Sequence, residues 1–435
     1  MQKKKKNMLW NLALPIAFEM FFQKMFGLAD TYVLSNYSDI AVAGVGYANQ
    51  ILNINLLVFQ VISSGTSILL AQAIGAHKEN EQKKICSVSI FLSLLAGIVS
   101  SFFIIILRSR LLLLLNVDSK LLDYASDYLY IMGIGIIFTS CFTTLTSIYR
   151  CKGKAYITSL VAIFSNILNI IGDLLVVQGK INILGTVMDV AIVTICANAF
   201  SCICAFVLLF VKENIRLLYY FSFDTLKTII FLGFPAAGES CSYKFSQLVG
   251  TTIIGSLGPE ILAGRIYGMN ISSFMVIIPN SIAIAAGIII GIQYGEGNNS
   301  VLRKIAYACV WKGDIAVILT NIPLVIFGNE IFSAFTKEQA IREAAYLVLC
   351  MEVIIMFLRN INLIMGNSLR AINDVKYPVV ISIFSMWVIG TGGCWLLGIS
   401  LNWGLFGICI SFFIDEAIRG CLLILRWNKM TSKKA

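Results

Sequence analysis

Residues 15–51, PIAFEMFFQKMFGLADTYVLSNYSDIAVAGVGYANQI, and residues 235–271, PAAGESCSYKFSQLVGTTIIGSLGPEILAGRIYGMNI, are two copies of one pattern. Pro15, Ala17, Glu19, Lys24, Leu28, Thr31, Ala43, Gly44, Tyr47 and Ile51 return without a gap as Pro235, Ala237, Glu239, Lys244, Leu248, Thr251, Ala263, Gly264, Tyr267 and Ile271. Gly75, Lys84 and Ile85 keep the same spacing of 220 positions with Gly295, Lys304 and Ile305. So do Arg150 with Arg370 and Ile163-Phe164-Ser165 with Ile383-Phe384-Ser385. The chain is therefore a duplicated unit, with an N-terminal half over 1–215 and a C-terminal half over 216–435.

Composition says where such a unit lives. Of 435 residues, 58% are hydrophobic and 13% charged, with a mean hydropathy of +0.85; soluble domains carry roughly 25% charged residues. Apolar runs long enough to span a bilayer recur along the whole length and leave no polar segment for a separate catalytic or nucleotide-binding domain. Twelve helices are predicted, near 8–34, 42–73, 84–107, 120–148, 156–178, 184–211, 225–254, 262–292, 301–327, 338–367, 376–398 and 402–426. The net charge of +10 is distributed as a topology signal. With a cytoplasmic N-terminus, the inner segments hold Lys3 to Lys6, Lys78, Lys83, Lys84, Arg150, Lys152, Lys154, Lys212, Arg216, Lys227, Arg303, Lys304, Arg370, Lys376, Arg426, Lys429, Lys433 and Lys434. The outer segments hold only Arg108, Arg110, Lys120, Lys180, Lys337 and Arg342. Both termini are thus expected in the cytoplasm of a bacterial cell, in its inner membrane. Six helices per half is even, so the two lobes are expected to be related by a pseudo-two-fold axis along the membrane normal, the arrangement of a transporter whose site lies between its repeats.

The Lys-rich start is expected to be an uncleaved first helix, because Glu19, Lys24 and Asp30 interrupt its apolar run. The 12 cysteines form no CxxC pair and are expected to be packing residues. His77, the only histidine, lies in a polar loop and supports neither a metal site nor a catalytic dyad.

Charged groups within the bilayer carry the functional reading, since each costs roughly 3 kcal/mol unless paired, hydrated or employed. In the first helix Glu19, Gln23 and Asp30 fall on one stripe about 40° wide, expected to line one cavity wall. In the fifth, Asn166, Asn169 and Asp173 share a face. Carboxylate and amide oxygens together suit a hard cation such as Na⁺, and a buried carboxyl suits a proton. The simpler reading pairs Asp30 with Lys24 and leaves Asn169 and Asp173 as interhelical glue. In the second half Gly250, Ile389 and Gly393 stand where Asp30, Asn169 and Asp173 would be, so one ion site is expected, in the first half. Glu239 and Tyr243 form a stripe suited to a cationic, partly aromatic substrate, and Glu352 and Arg359, seven apart on one face, are expected in the substrate cavity with them, a mutual pair being the plainer alternative. Asp415, Glu416 and Arg419, and Lys312 with Asp314, are expected to be structural. Pro15 and Pro235 mark matching bends beside the acidic stripes.

These strings resemble a family. LALPIAFEMFFQKMFGLADTYVLSNYSDIAVAGVG (12–46), AQAIGAHKENEQKKI (71–85), SNILNIIGD (165–173), YRCKGKAYI (149–157) and LRAINDVKYP (369–378) are similar, in order and spacing, to the multidrug and toxic compound extrusion (MATE) transporters. The resemblance implies an all-α membrane protein of two six-helix lobes that exports small organic cations in exchange for H⁺ or Na⁺ by alternating access. It implies no enzymatic activity and no cofactor beyond the coupling ion. Carried over by position, its cation site falls on Asp30, Asn169, Asp173 and Thr194. The segment TVMDVAIVT (186–194) departs from the pattern at Asp189, where a small residue, usually Gly, is common. Acids of the second lobe used in some branches would fall on Glu239 and Glu352. Membrane lipids are the only other expected partners, the chain is expected to be a monomer, and no nucleic acid is expected. A lipid-linked saccharide flippase of the same superfamily is the alternative, with Lys24, Lys244, Arg265 and Arg359 as its supporting cations.

Overall fold

In a computed structural model the chain is all-α, with no strand among the described residues, which are 8–35, 38–184, 186–213 and 221–432. The basic residues Lys3 to Lys6, Arg216, Lys433 and Lys434, and the side chain of Lys212, lie outside them. The helices are α1 (Met8–Ser35), α2 (Asp39–Gly75), α3 (Glu79–Leu114), α4 (Ser119–Cys151), α5 (Ala155–Val177), α6 (Thr186–Glu213), α7 (Phe223–Gly255), α8 (Pro259–Met275), α9 (Ile277–Gly295), α10 (Asn299–Ile326), α11 (Gly328–Phe335), α12 (Gln339–Ala371), α13 (Lys376–Phe384) and α14 (Gly404–Ser432). Ten segments of the described residues are long and apolar enough to cross a membrane. The two further predicted spans, α7 and α14, fall short because they carry Glu239 with Lys244 and Asp415, Glu416 with Arg419. Side chains such as Phe102, Leu114 and Leu319 point outward at 69%, 78% and 70% exposure. That suits hydrocarbon and not water.

Two predicted helices come out differently. The span near 262–292 is interrupted at Val276 into α8 and α9, because Pro279 has no N–H to return to the carbonyl four residues earlier. The span near 376–398 is α-helical only to Phe384 and then widens into π-turns over Ser385–Thr391 and Cys394–Ser400. Ser411 on α14 donates to the carbonyls of Ile389 (2.9 Å) and Gly390 (2.6 Å), taking up acceptors left by the altered winding. Gly393, the counterpart of Asp173, falls between these turns.

Contacts divide the chain into two compact units, 18–74 with 78–237, and 1–17 with 75–77 and 238–435. The junctions in α1 and α7 each fall two residues after a proline, Pro15 and Pro235, while a third lies at the last residue of α2. In the first unit α4 packs on α3 and α6, and α5 on α6, around a core that includes Ile104, Leu129, Ala191 and Val176. The start of α7 belongs here because it approaches α2 at backbone distance. A Cβ at Gly65 would sit 2.0 Å from the Ile229 carbonyl oxygen, and one at Gly233 1.8 Å from that of Val61. In the second unit α12 is central, packed by α8, α9, α10 and α14.

Candidate cation site

Four helices of the first unit bring polar groups to one place. Asn169 and Asp173, one turn apart on α5, are 5% and 1% exposed, so the predicted shared face is turned inward. From α6, Thr194 accepts a hydrogen bond from Asn169 Nδ2 (3.2 Å) and donates its own proton to the Val190 carbonyl (3.0 Å). Its oxygen is thereby held in place. From α1 the Asp30 carboxyl comes within hydrogen-bonding reach of the Asp173 carboxyl. Tyr128 on α4, 6% exposed, lies close enough to feel both charges.

Asp30 Oδ1 and both carboxyl oxygens of Asp173 are sealed from solvent and have no hydrogen-bond donor. The large majority of buried side-chain polar atoms have a hydrogen-bond partner, and two ionised carboxylates in contact repel strongly. The pair is satisfied only if a proton or a cation enters between them. Among the described residues no group of three or more Asp, Glu, His or Cys side chains is placed to hold a metal ion. A cation here would rest on two carboxylates supplemented by the Asn169 amide and Thr194 hydroxyl oxygens, a hard, all-oxygen donor set. Asn166 is half-buried on the same helix.

Asp189, the departure in the α6 segment, has a local task. It is 1% exposed and reaches back to accept the backbone N–H groups of Ile183 (2.9 Å) and Leu184 (3.0 Å). It satisfies donors ahead of the helix, and Thr194 keeps its place opposite Asn169.

The remaining candidates separate from this cluster. Glu19 shares a stripe with Asp30, but eleven residues of helix put them about 16 Å apart along the axis. Instead of lining a common wall, Glu19 accepts from Arg150 Nη2 (2.9 Å) and Ser159 Oγ (3.1 Å). The second unit repeats the arrangement with Glu239 and Arg370. Two arginines read at first as topology charges thus neutralise the two repeated glutamates, and the shared spacing of 131 residues was the signal that linked them. Gln23 is exposed, and Tyr243 is 36% exposed. Glu352 and Arg359, expected in the substrate cavity, pair with each other (3.0 Å) within a larger network. Arg359 also binds Glu416 (3.0 Å), and Arg419 binds Asp415 and Glu416 (3.0 Å each). Asn362 donates to Glu416 and Ser385 to Asp415. Asp314 accepts from Asn360 (2.8 Å). Tyr128 was missed, since nothing in its spacing marks it.

Comparison with known proteins agrees with this architecture. The MatE family profile matches residues 15–175 and again 235–396, the two copies of the repeat. An uncharacterized transporter, YisQ, of Bacillus subtilis is 32% identical, over 97% of this chain and 93% of its own length. A probable multidrug resistance protein, NorM, of Thermotoga maritima is 25% identical over the same shares. An outward-facing multidrug resistance MATE family transporter superposes with a TM-score of 0.91, at 19% identity, over 99% of this chain and 96% of that one; it shows likeness of fold. With both repeats matched and a relative aligned nearly end to end, this chain belongs to the MATE family of multi-pass membrane transporters.

Proposed function

We propose that the protein is a secondary antiporter that exports small organic cations, drugs among them, in exchange for H⁺ or Na⁺ by alternating access. The observation that supports this reading is the Asp30–Asp173 pair, with three buried carboxyl oxygens that lack a donor. An incoming proton or Na⁺ neutralises the pair, Asn169 and Thr194 complete the oxygen set for Na⁺, and loss of the ion restores the repulsion. The two charge states favour different arrangements of α1 and α5, and that difference in stability is what couples the ion to a conformational change. In a one-for-one exchange of a monovalent cation for H⁺ or Na⁺ the membrane potential cancels, so the ion's own concentration gradient sets the limit: each tenfold of it, about 1.4 kcal/mol, sustains about a tenfold substrate gradient.

The same reading places the chain in a bacterial inner membrane with both termini cytoplasmic, as a monomer whose only cofactor is the coupling ion. The probable multidrug resistance proteins among its relatives are in keeping with drug-like cations as substrates. Ethidium uptake into everted vesicles, whose cytoplasmic face is outward so that export fills the lumen, tests it under separately imposed proton and sodium gradients. Uptake driven by one gradient is the expected result. Uptake indifferent to both, or movement of lipid-linked saccharide in its place, overturns the proposal.

A further inference from the structure

The second unit holds a buried cation, Arg265, for which no carboxylate partner exists among the described residues. Arg265, on α8 and six residues inside it, is 4% exposed. Its Nη2 donates to Gln247 Oε1 on α7 (3.1 Å), and its guanidinium carbon lies 5.1 Å from the centre of the Phe412 ring on α14. Among the described residues no carboxylate is within ion-pair distance of it. The nearby acids are otherwise engaged, Glu352 by Arg359 and Asp415 by Arg419. One amide acceptor and one ring face are poor compensation for a guanidinium with five N–H donors at membrane depth.

The unused donors are not sealed away. Arg150, Arg370 and Arg419 each bury an Nε without an acceptor, whereas no nitrogen of Arg265 is closed off in that manner. The donors that Gln247 leaves free are therefore not fully enclosed by protein. The position is also telling. Phe412, beneath the guanidinium, lies against Gly250, the counterpart of Asp30, and Cys394 and Cys409 border Arg265 beside Gly393, the counterpart of Asp173. Where the first unit gathers two acids, the second has lost both and gained an arginine; the repeat residue at its own place is Val45.

From this geometry we infer that the second unit carries an oxyanion site, in which Arg265 receives a carboxylate or phosphate with its free N–H groups while Phe412 and Gln247 hold the guanidinium. A planar fork in apolar surroundings favours a two-oxygen anion over a spherical one. This goes beyond the antiport reading and stands apart from the cation site.

Binding is measured on the purified full-length protein. It is titrated in neutral detergent with sodium phosphate and with sodium acetate, followed by thermal unfolding. Native mass spectrometry compares retained phosphatidylglycerol with phosphatidylcholine. The wild type is expected to bind at least one of phosphate, acetate and phosphatidylglycerol, and Arg265→Gln to weaken that binding roughly tenfold, the worth of one charge-assisted hydrogen bond. Retention of phosphatidylglycerol alone assigns the anion to a lipid headgroup; binding of the dissolved anions assigns it to a soluble ligand. No binding to the wild type, or equal binding to Arg265→Gln, overturns the inference. Should that variant not fold, Arg265→Lys decides: it keeps the charge without the fork, and an affinity that fails to fall by roughly fivefold overturns it equally.

Discussion

Replacing Asp30 by Asn changes one atom and removes the charge on which the proposed coupling depends. Two carboxylates about 4 Å apart repel by about 4 kcal/mol at an effective dielectric of about 20, and in the wild type only an entering ion relieves this. In Asp30→Asn the new amide can donate to the Asp173 oxygens that have no donor, a hydrogen bond to a charged acceptor worth about 1.5–3 kcal/mol. The variant should therefore fold at least as well as the wild type and unfold at an equal or higher temperature. The ion-dependent switch in repulsion is gone, so the substrate gradient sustained by coupled export should collapse towards unity. Accumulation of ethidium inside everted vesicles reports the gradient, and thermal unfolding in detergent reports the fold. Wild-type accumulation by the folded variant would refute the role given to Asp30. A variant that fails to fold would refute the claim that the carboxyl pair is under electrostatic tension.

The other expectations concern its surroundings. Thr194→Val removes the oxygen to which Asn169 donates and should weaken ion affinity roughly tenfold, with Thr194→Ser near wild type; the ion concentration giving half-maximal efflux distinguishes them. Glu19→Gln leaves Arg150 without its counter-charge and should cost about 3 kcal/mol in unfolding experiments. The exchange Glu19→Arg with Arg150→Glu should recover a good part of that, and the same holds for Glu239 and Arg370. Asp189→Ala frees two backbone N–H groups and should lower stability by about 1–2 kcal/mol. Asp189→Asn, which keeps only one acceptor oxygen, should cost about half as much.

The repeat, the apolar runs and the same-face spacing of Asn169 and Asp173 are local properties of the chain, and they were enough to establish a duplicated all-helical membrane protein and one acidic cluster. Periodicity gives the angle of a side chain around its helix and says nothing of which neighbour meets it or at what depth. For that reason Glu19 and Asp30 share a stripe in sequence yet face different partners, an arginine and a second carboxylate. Tyr128 enters the cation site through the packing of α4, and Arg265 stands out only because the folded chain offers it no acid. The π-turns over Ser385–Thr391 and Cys394–Ser400 likewise involve a distant residue, the Ser411 hydroxyl of α14, which donates to the carbonyls of Ile389 and Gly390. Burial and pairing are sums over residues far apart in the chain, and so they become visible only once the helices are packed.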